Sequence, residues 1–115
     1  YAISNKGAVG LMQIMPKTAE FVCEKINEEY DYEKLKEPNF NIKIGTYYLK
    51  YLKTKFENKI VILCAYNAGE GVVGNWLKNK EYSTDGKTLI KIPYSSTNSY
   101  VEKILKAQKI YKKKF

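Results

Sequence analysis

The residue types that could do chemistry here fall in three short segments. The first is Gly7-Ala8-Val9-Gly10-Leu11-Met12-Gln13-Ile14-Met15-Pro16, where Gln13 stands among Leu11, Met12, Ile14 and Met15. A polar amide in such company must be hydrogen-bonded if buried, or must face a cleft. Gly7 and Gly10 allow the backbone to approach something closely. The plainer reading is a Gln that bonds a neighbouring loop carbonyl. The second segment is Ala65-Tyr66-Asn67-Ala68-Gly69. Tyr and Asn both donate and accept, so an apolar run ending in them could present both at a pocket rim. An Asn closing a helix before a Gly would explain the same residues. The third is Ile92-Pro93-Tyr94 followed by Ser95-Ser96-Thr97-Asn98-Ser99-Tyr100-Val101. Its hydroxyl cluster makes a good helix N-cap, and Tyr100 could turn its ring toward a ligand. Eleven Tyr and one Trp offer flat faces for sugars or bases.

Such groups need a scaffold, and 115 residues suffice for one core. Hydrophobic residues make up 44% and charged residues 28%, a composition that argues against disorder. The longest apolar run, Ile60 to Tyr66, is too short to span a bilayer. With two Cys and no His, neither a disulfide scaffold nor a zinc site is expected. Cys23 and Cys64 fall on apolar faces and could pair or stay free. The net charge is +8, and every basic residue is Lys. Arg is the residue that reads phosphates and base edges with a two-pronged fork, so its absence weakens a nucleic-acid reading. Lys suits diffuse attraction to anionic polymers, although AT-rich coding would give the same bias. The charge is uneven: residues 20–37 hold seven acids against three Lys, whereas residues 103–114 hold six Lys and no acid.

The apolar spacing predicts a mostly α-helical chain. Residues 1–10 read as a loop. Pro16 opens a helix that runs to about Asn27 and buries Ala19, Val22, Cys23 and Ile26. Glu28 to Pro38 reads as a surface connection. Asn39 is a candidate N-cap for a second helix with Gly45, Tyr48, Leu49, Leu52 and Phe56 on one face. Asn58-Lys59 breaks that helix. Ile60 to Asn67 fits a buried strand or a buried helix, and periodicity cannot choose between them. Gly69, Gly71 and Gly74 then lead into a closely packed helix around Val72, Val73 and Trp76. Residues 79–99 read as an irregular loop of the kind that carries function. A last helix starts near Thr97 or Asn98, with Tyr100, Val101, Ile104, Leu105, Gln108 and Tyr111 on one side.

In order and separation, the three segments resemble the soluble lytic transglycosylase domain, whose fold is lysozyme-like and related to goose-type lysozyme. SNKGAVGLMQIMPKTA matches the family pattern Ser-x-x-Gly-Ala-x-Gly-Leu-Met-Gln-x-Met-Pro-x-Thr-Ala almost residue for residue. AYNAGEGVV is similar to Ala-Tyr-Asn-Ala-Gly-x-Gly-x-Val, and IPYSSTNSYVEKIL to Ile-Pro-x-x-Glu-Thr-x-x-Tyr-Val-x-x-Val/Ile. Residues 1–115 are thus expected to be one such domain lacking its N-terminal segment. The resemblance implies an extracellular or envelope enzyme acting on peptidoglycan glycan strands. It would cut the MurNAc-β-1,4-GlcNAc bond and leave 1,6-anhydromuramoyl ends, with no cofactor, no metal and no membrane span in this chain. Ser4, Gln13, Met15, Tyr66, Asn67 and Tyr100 stand at the positions the family uses to bind substrate.

Glycosidases usually flank the scissile bond with two carboxylates. The muramic acid 6-hydroxyl is the nucleophile here, so a single Glu can act first as acid and then as base. That Glu belongs to a Glu-Ser motif expected just N-terminal to Tyr1, so residues 1–115 alone should be inactive. Glu20 and Glu24 read as a solvated ladder beside Lys17 and Lys25, and Glu70 falls at a variable position. Ser96 and Asn98 replace the Glu and Arg usual in the third motif. The Lys-rich end is assigned to diffuse attraction toward anionic cell-wall polymers. Two alternatives remain: a non-catalytic peptidoglycan-binding domain that has lost the acid, and a small basic nucleic-acid binder. No helix-turn-helix, zinc or aromatic RNP-type motif supports the second.

Overall fold

The computed structural model describes residues 2–114, with side chains described up to Lys109. It is helical: α1 is Pro16–Lys25, α2 Tyr32–Leu35, α3 Pro38–Lys55, α4 Lys59–Ala68, α5 Glu70–Lys78 and α6 Ser95–Lys114. Among the described residues the only extended pairing is two isolated bridges, Ile3 with Val9 and Val9 with Ile14. The chain divides into two compact units, residues 1–51 and 52–115.

In the first unit the chain from Ala2 to Ile14 is tied into a knot of short turns. Val9 and Ile14 exchange two backbone hydrogen bonds, Val9 N–H to the Ile14 carbonyl at 2.9 Å and Ile14 N–H to the Val9 carbonyl at 3.0 Å. Pro16, with no N–H to satisfy, opens α1 as predicted. Ala19, Val22 and Cys23 are buried, while Ile26 is half-buried just past the helix end. The helix stops at Lys25 because Asn27 takes a left-handed φ of 55°. Glu28 N–H then closes back onto the Cys23 carbonyl at 2.9 Å, the bond that satisfies an orphan carbonyl at a helix C-terminus.

The segment read as a plain surface connection contains α2, one turn capped by the Asp31 carboxylate, which accepts from Glu33 N–H. Leu35 supplies the reason for that turn, since it is fully buried. Asn39 is not the N-cap of α3. The helix begins at Pro38, two residues before the start an Asn39 cap would give, and its first bond runs from Asn41 N–H to the Glu37 carbonyl. Pro pre-sets the φ of a first helical residue, and that decided the boundary. Ile44 and Tyr48 line its buried face, and Tyr51 meets Phe21 edge-on at 5.1 Å between ring centres.

In the second unit, Ile60 to Asn67 is helix. Asn58 decides it by accepting from both Ile60 and Val61 N–H, so the orphan donors of the first turn are satisfied. Val61, Ile62, Cys64 and Ala65 are buried, and α4 packs against α5 and α6. Gly69, at φ 104°, turns α4 directly into α5, where Val73 and Trp76 are buried.

Candidate functional site

Gln13 is held on the backbone of its own turn. It takes a left-handed φ of 47°, which is uncommon outside Gly. Its amide Nε2 donates to the Gly10 carbonyl at 2.8 Å and to the Ala2 carbonyl at 3.2 Å. The plainer sequence reading, a Gln bonded to a neighbouring loop carbonyl, therefore holds. The residue is exposed, and with Nε2 anchored Oε1 is left as the acceptor of the amide. Ser4 lies in the same knot: its Oγ accepts from Ala8 N–H at 2.9 Å, and its backbone N–H meets the Ala8 carbonyl. Met15, 40% exposed, ends the turn and enters α1, where its carbonyl accepts from Ala19 N–H. Ser4, Gln13 and Met15 thus belong to one compact loop whose backbone is bonded to itself.

What holds that loop to the helices is a residue absent from the sequence-based candidates. Asn41 on α3 is 0% exposed, and its side chain makes three hydrogen bonds, two of them across 29 and 32 residues. Nδ2 donates to the Val9 and Leu35 carbonyls, and Oδ1 accepts from Met12 N–H, each at 2.9 Å. Gly10 sits directly over this amide at φ 78°, and a Cβ there would lie 2.4 Å from Asn41 Nδ2. Gly45, one turn further along α3, leaves no more room: a Cβ would lie 2.7 Å from Met12 Cβ. The close approach expected of the first glycine motif is thus an approach to α3. One signal was available, a polar residue on the apolar stripe Asn41, Ile44, Tyr48 and Leu52.

In the second unit, Asn67 occupies the last turn of α4 rather than the C-cap, which is Gly69. Its Oδ1 accepts from the Thr97 hydroxyl at 2.8 Å. Thr97 was a candidate N-cap. It is instead the third residue of α6, which starts at Ser95 rather than near Thr97 or Asn98; it is 1% exposed and donates its hydroxyl to Asn67. Tyr66 is half-buried. Tyr100 is also half-buried, and burial pushes its hydroxyl above the usual phenol range. Residues 79–94 form the loop expected to be irregular, but it is pinned from inside. The Asp85 carboxylate accepts from Lys87 and Thr88 N–H and from the Thr88 hydroxyl. Those bonds hold its pKa down at about 2. Buried Ser83 donates to the Thr88 carbonyl at 2.6 Å and accepts from Gly86 N–H. Tyr94, exposed, stands edge-on to Trp76 at 5.0 Å.

None of the twelve acids is buried, and ten are exposed. Half-buried Glu28 pairs with Lys43, whose hydrogen bond holds the carboxyl below its ordinary range. Glu20 and Glu24 are exposed, as expected of a solvated ladder. Among the described residues no group of acids, Cys or His could hold a metal ion, and no helix is long and apolar enough to cross a membrane. An open depression in the first unit, lined by Glu37, Pro38, Asn39, Phe40 and Lys43, includes none of the candidate residues. Lys103, Lys106 and Lys109 are exposed on α6, whereas the side chains of Tyr111, Lys112, Lys113 and Lys114 lie outside the described residues.

The geometry agrees with what the chain is similar to. The family model described as "Transglycosylase SLT domain" matches residues 1–90. The soluble lytic murein transglycosylase of Salmonella typhimurium is 41% identical over 111 residues, which cover 92% of this chain and 17% of that protein. Its counterpart in Escherichia coli K12 is 40% identical over 110 residues, again 92% of this chain and 17% of the relative. A solved structure, an inactive Glu-to-Gln mutant of lytic transglycosylase Slt from Pseudomonas aeruginosa, superposes with a TM-score of 0.77 at 34% identity. It covers 98% of this chain and 19% of its own. The chain thus spans less than a fifth of the length of these three relatives. A helical chain that carries all three motifs and matches both a family model and a solved member along most of its length belongs to the transglycosylase SLT domain family.

Proposed function

We propose that this chain is the SLT domain of a peptidoglycan lytic transglycosylase, and that Gln13, exposed and anchored through Nε2, is one of its sugar-binding groups. The observation that carries the reading is the Gln13 turn: a strained, exposed amide fixed by two backbone carbonyls has no packing reason to exist. Ser4, Met15, Tyr66, Asn67 and Tyr100 are the other proposed contacts. Amides and hydroxyls bond N-acetyl and hydroxyl groups, and the Tyr rings offer apolar faces to the sugar. In the reaction, the C1–O4 bond between MurNAc and GlcNAc breaks as the muramic acid 6-hydroxyl closes onto C1. The leaving O4 takes a proton from a carboxylic acid, and the resulting carboxylate removes the proton from the 6-hydroxyl.

That acid needs a water-poor site to be protonated near neutral pH. All twelve acids of residues 1–115 are exposed or half-buried, so the proposed acid/base Glu is none of them. This favours a second reading for the 115 residues on their own, a peptidoglycan-binding unit without catalysis. The proposed setting is the cell envelope, where exposed Lys103, Lys106 and Lys109 would draw the protein to anionic wall polymers. The test digests purified sacculi with the full-length protein and with residues 1–115, and reads the products by mass spectrometry. Release of 1,6-anhydromuropeptides by the full-length protein alone is expected. Reducing-end muramic acid, or no product from the full-length protein, overturns the reading.

A further inference from the structure

The sugar-binding role given to Gln13 depends on where its amide points, and Gln13's own bonds to the Gly10 carbonyl close the turn without fastening it to the helices. Its anchor is the Gly10 carbonyl. That carbonyl belongs to a four-residue arc between Val9 and Ile14, and one side chain from α3 bonds the backbone on both flanks of Gly10. Asn41 takes the Val9 carbonyl on one side of Gly10 and the Met12 N–H on the other. With its third bond to the Leu35 carbonyl, it ties the arc to both α2 and α3. Both donors of the amide and one acceptor site are used, and no other residue type has that shape and that donor–acceptor set. The absence of a Cβ at Gly10 is what admits the amide so close to the arc. A leucine at position 41 would suit the apolar stripe better if packing were the only demand.

Building on the functional reading above, we infer that Asn41 is a positioning residue, which sets the direction of the Gln13 amide without touching the glycan. Its removal frees the arc to relax from the left-handed conformation at Gln13 and lets Nε2 leave Gly10. A shift of about 1 Å in a substrate-orienting group can cost on the order of 10²-fold in rate. The expected loss in kcat/KM is therefore about 10–100-fold, carried mainly by KM because the proposed acid lies elsewhere.

The experiment compares the full-length protein with its Asn41→Ala, Asn41→Ser, Gln13→Ala and Gln13→Ala/Asn41→Ser variants on purified sacculi, well below each melting temperature. A Val22→Ala variant serves as control, since Val22 is buried on α1 and outside the arc. Asn41→Ser keeps a small polar group that water can extend, so it supplies the cycle if Asn41→Ala does not fold. The inference expects Asn41→Ser to raise KM in the wild-type background and to add less than about twofold once Gln13 is already Ala. It expects Val22→Ala to lose stability with KM unchanged. An Asn41→Ser effect that is undiminished in the Gln13→Ala background, or a matching KM rise in Val22→Ala, overturns it. A wild-type protein with no activity on sacculi sinks the functional reading instead. In that case a crystal structure of Asn41→Ser decides the inference alone: Gln13 with positive φ and Nε2 still on Gly10 refutes it.

Discussion

Gly7 and Gly10 share a positive φ, 93° and 78°, yet face different surroundings, and replacing each by Ala separates two costs that usually arrive together. At Gly7 nothing lies within 4 Å of a built Cβ, so Gly7→Ala pays only backbone strain, about 1–3 kcal/mol. Gly10→Ala carries the same strain and also places a methyl 2.4 Å from Asn41 Nδ2 and 2.6 Å from its Cγ. The amide must retreat by roughly 1 Å to reach ordinary contact, and its three 2.9 Å bonds cannot survive that retreat together. At a net contribution of about 0.5–1.5 kcal/mol per bond, losing all three adds about 2–4 kcal/mol. Gly10→Ala is therefore expected to cost about 3–7 kcal/mol in all. Urea unfolding followed by far-UV circular dichroism, with a common m-value, measures both variants. The refuting result is a Gly10→Ala stability within about 0.5 kcal/mol of Gly7→Ala, an interval typical of neutral surface changes. That outcome would mean that the amide is not wedged between the arc and its helix.

Two further expectations concern titratable groups. Asp85 is held at about pKa 2 by the N–H groups of Lys87 and Thr88, below the ordinary carboxylate value it regains on unfolding. The unfolded chain therefore binds the proton first, so the stability from Asp85 is fully present above about pH 4 and is lost as pH falls toward 2. Wild-type melting temperature should drop more steeply than that of Asp85→Ala across this window, and parallel curves would contradict the loop geometry. Cys64 is buried on α4, and desolvation pushes its thiol up to about 11. Only about one molecule in a thousand carries the thiolate at pH 8. Ellman's reagent should find neither Cys64 nor buried Cys23 in the native protein and both in denaturant, whereas rapid native labelling of Cys64 would place it at the surface.

The parts of the fold that were legible rest on local rules. Pro16, the buried trio Ala19, Val22 and Cys23, and the break at Asn58 were all readable from spacing and turn chemistry. Ile60 to Asn67 was undecidable by periodicity because a wholly apolar run has no period. Its cap settles it, since Asn58 serves two N–H groups at once. The start of α3 was misplaced by two residues, since an N-cap at Asn39 would open the helix at Phe40, whereas Pro38 leads it. For the site, Gln13 stood out as a polar residue in apolar company. Asn41 breaks an apolar stripe in the same way, but it and Thr97 each read as a helix-surface or capping residue until the partner is known. Those partners lie 32 and 30 residues away, at Val9 and Asn67, beyond the reach of local pattern.

That separation also orders events as the chain folds. The turn around Asp85 closes through bonds that span five residues or fewer, all within Ser83 to Thr88. Contacts of that span form on the order of 10–100 ns, on the timescale of simple loop closure. The Asn41 and Thr97 bonds must wait until roughly thirty residues have been gathered in, with the loop-closure entropy that entails. The Asp85 loop therefore needs nothing outside its own six residues. The arc at Gln13, whose Val9–Ile14 and Gly10–Gln13 bonds are equally local, is fastened to the helices only as the first unit condenses around Asn41.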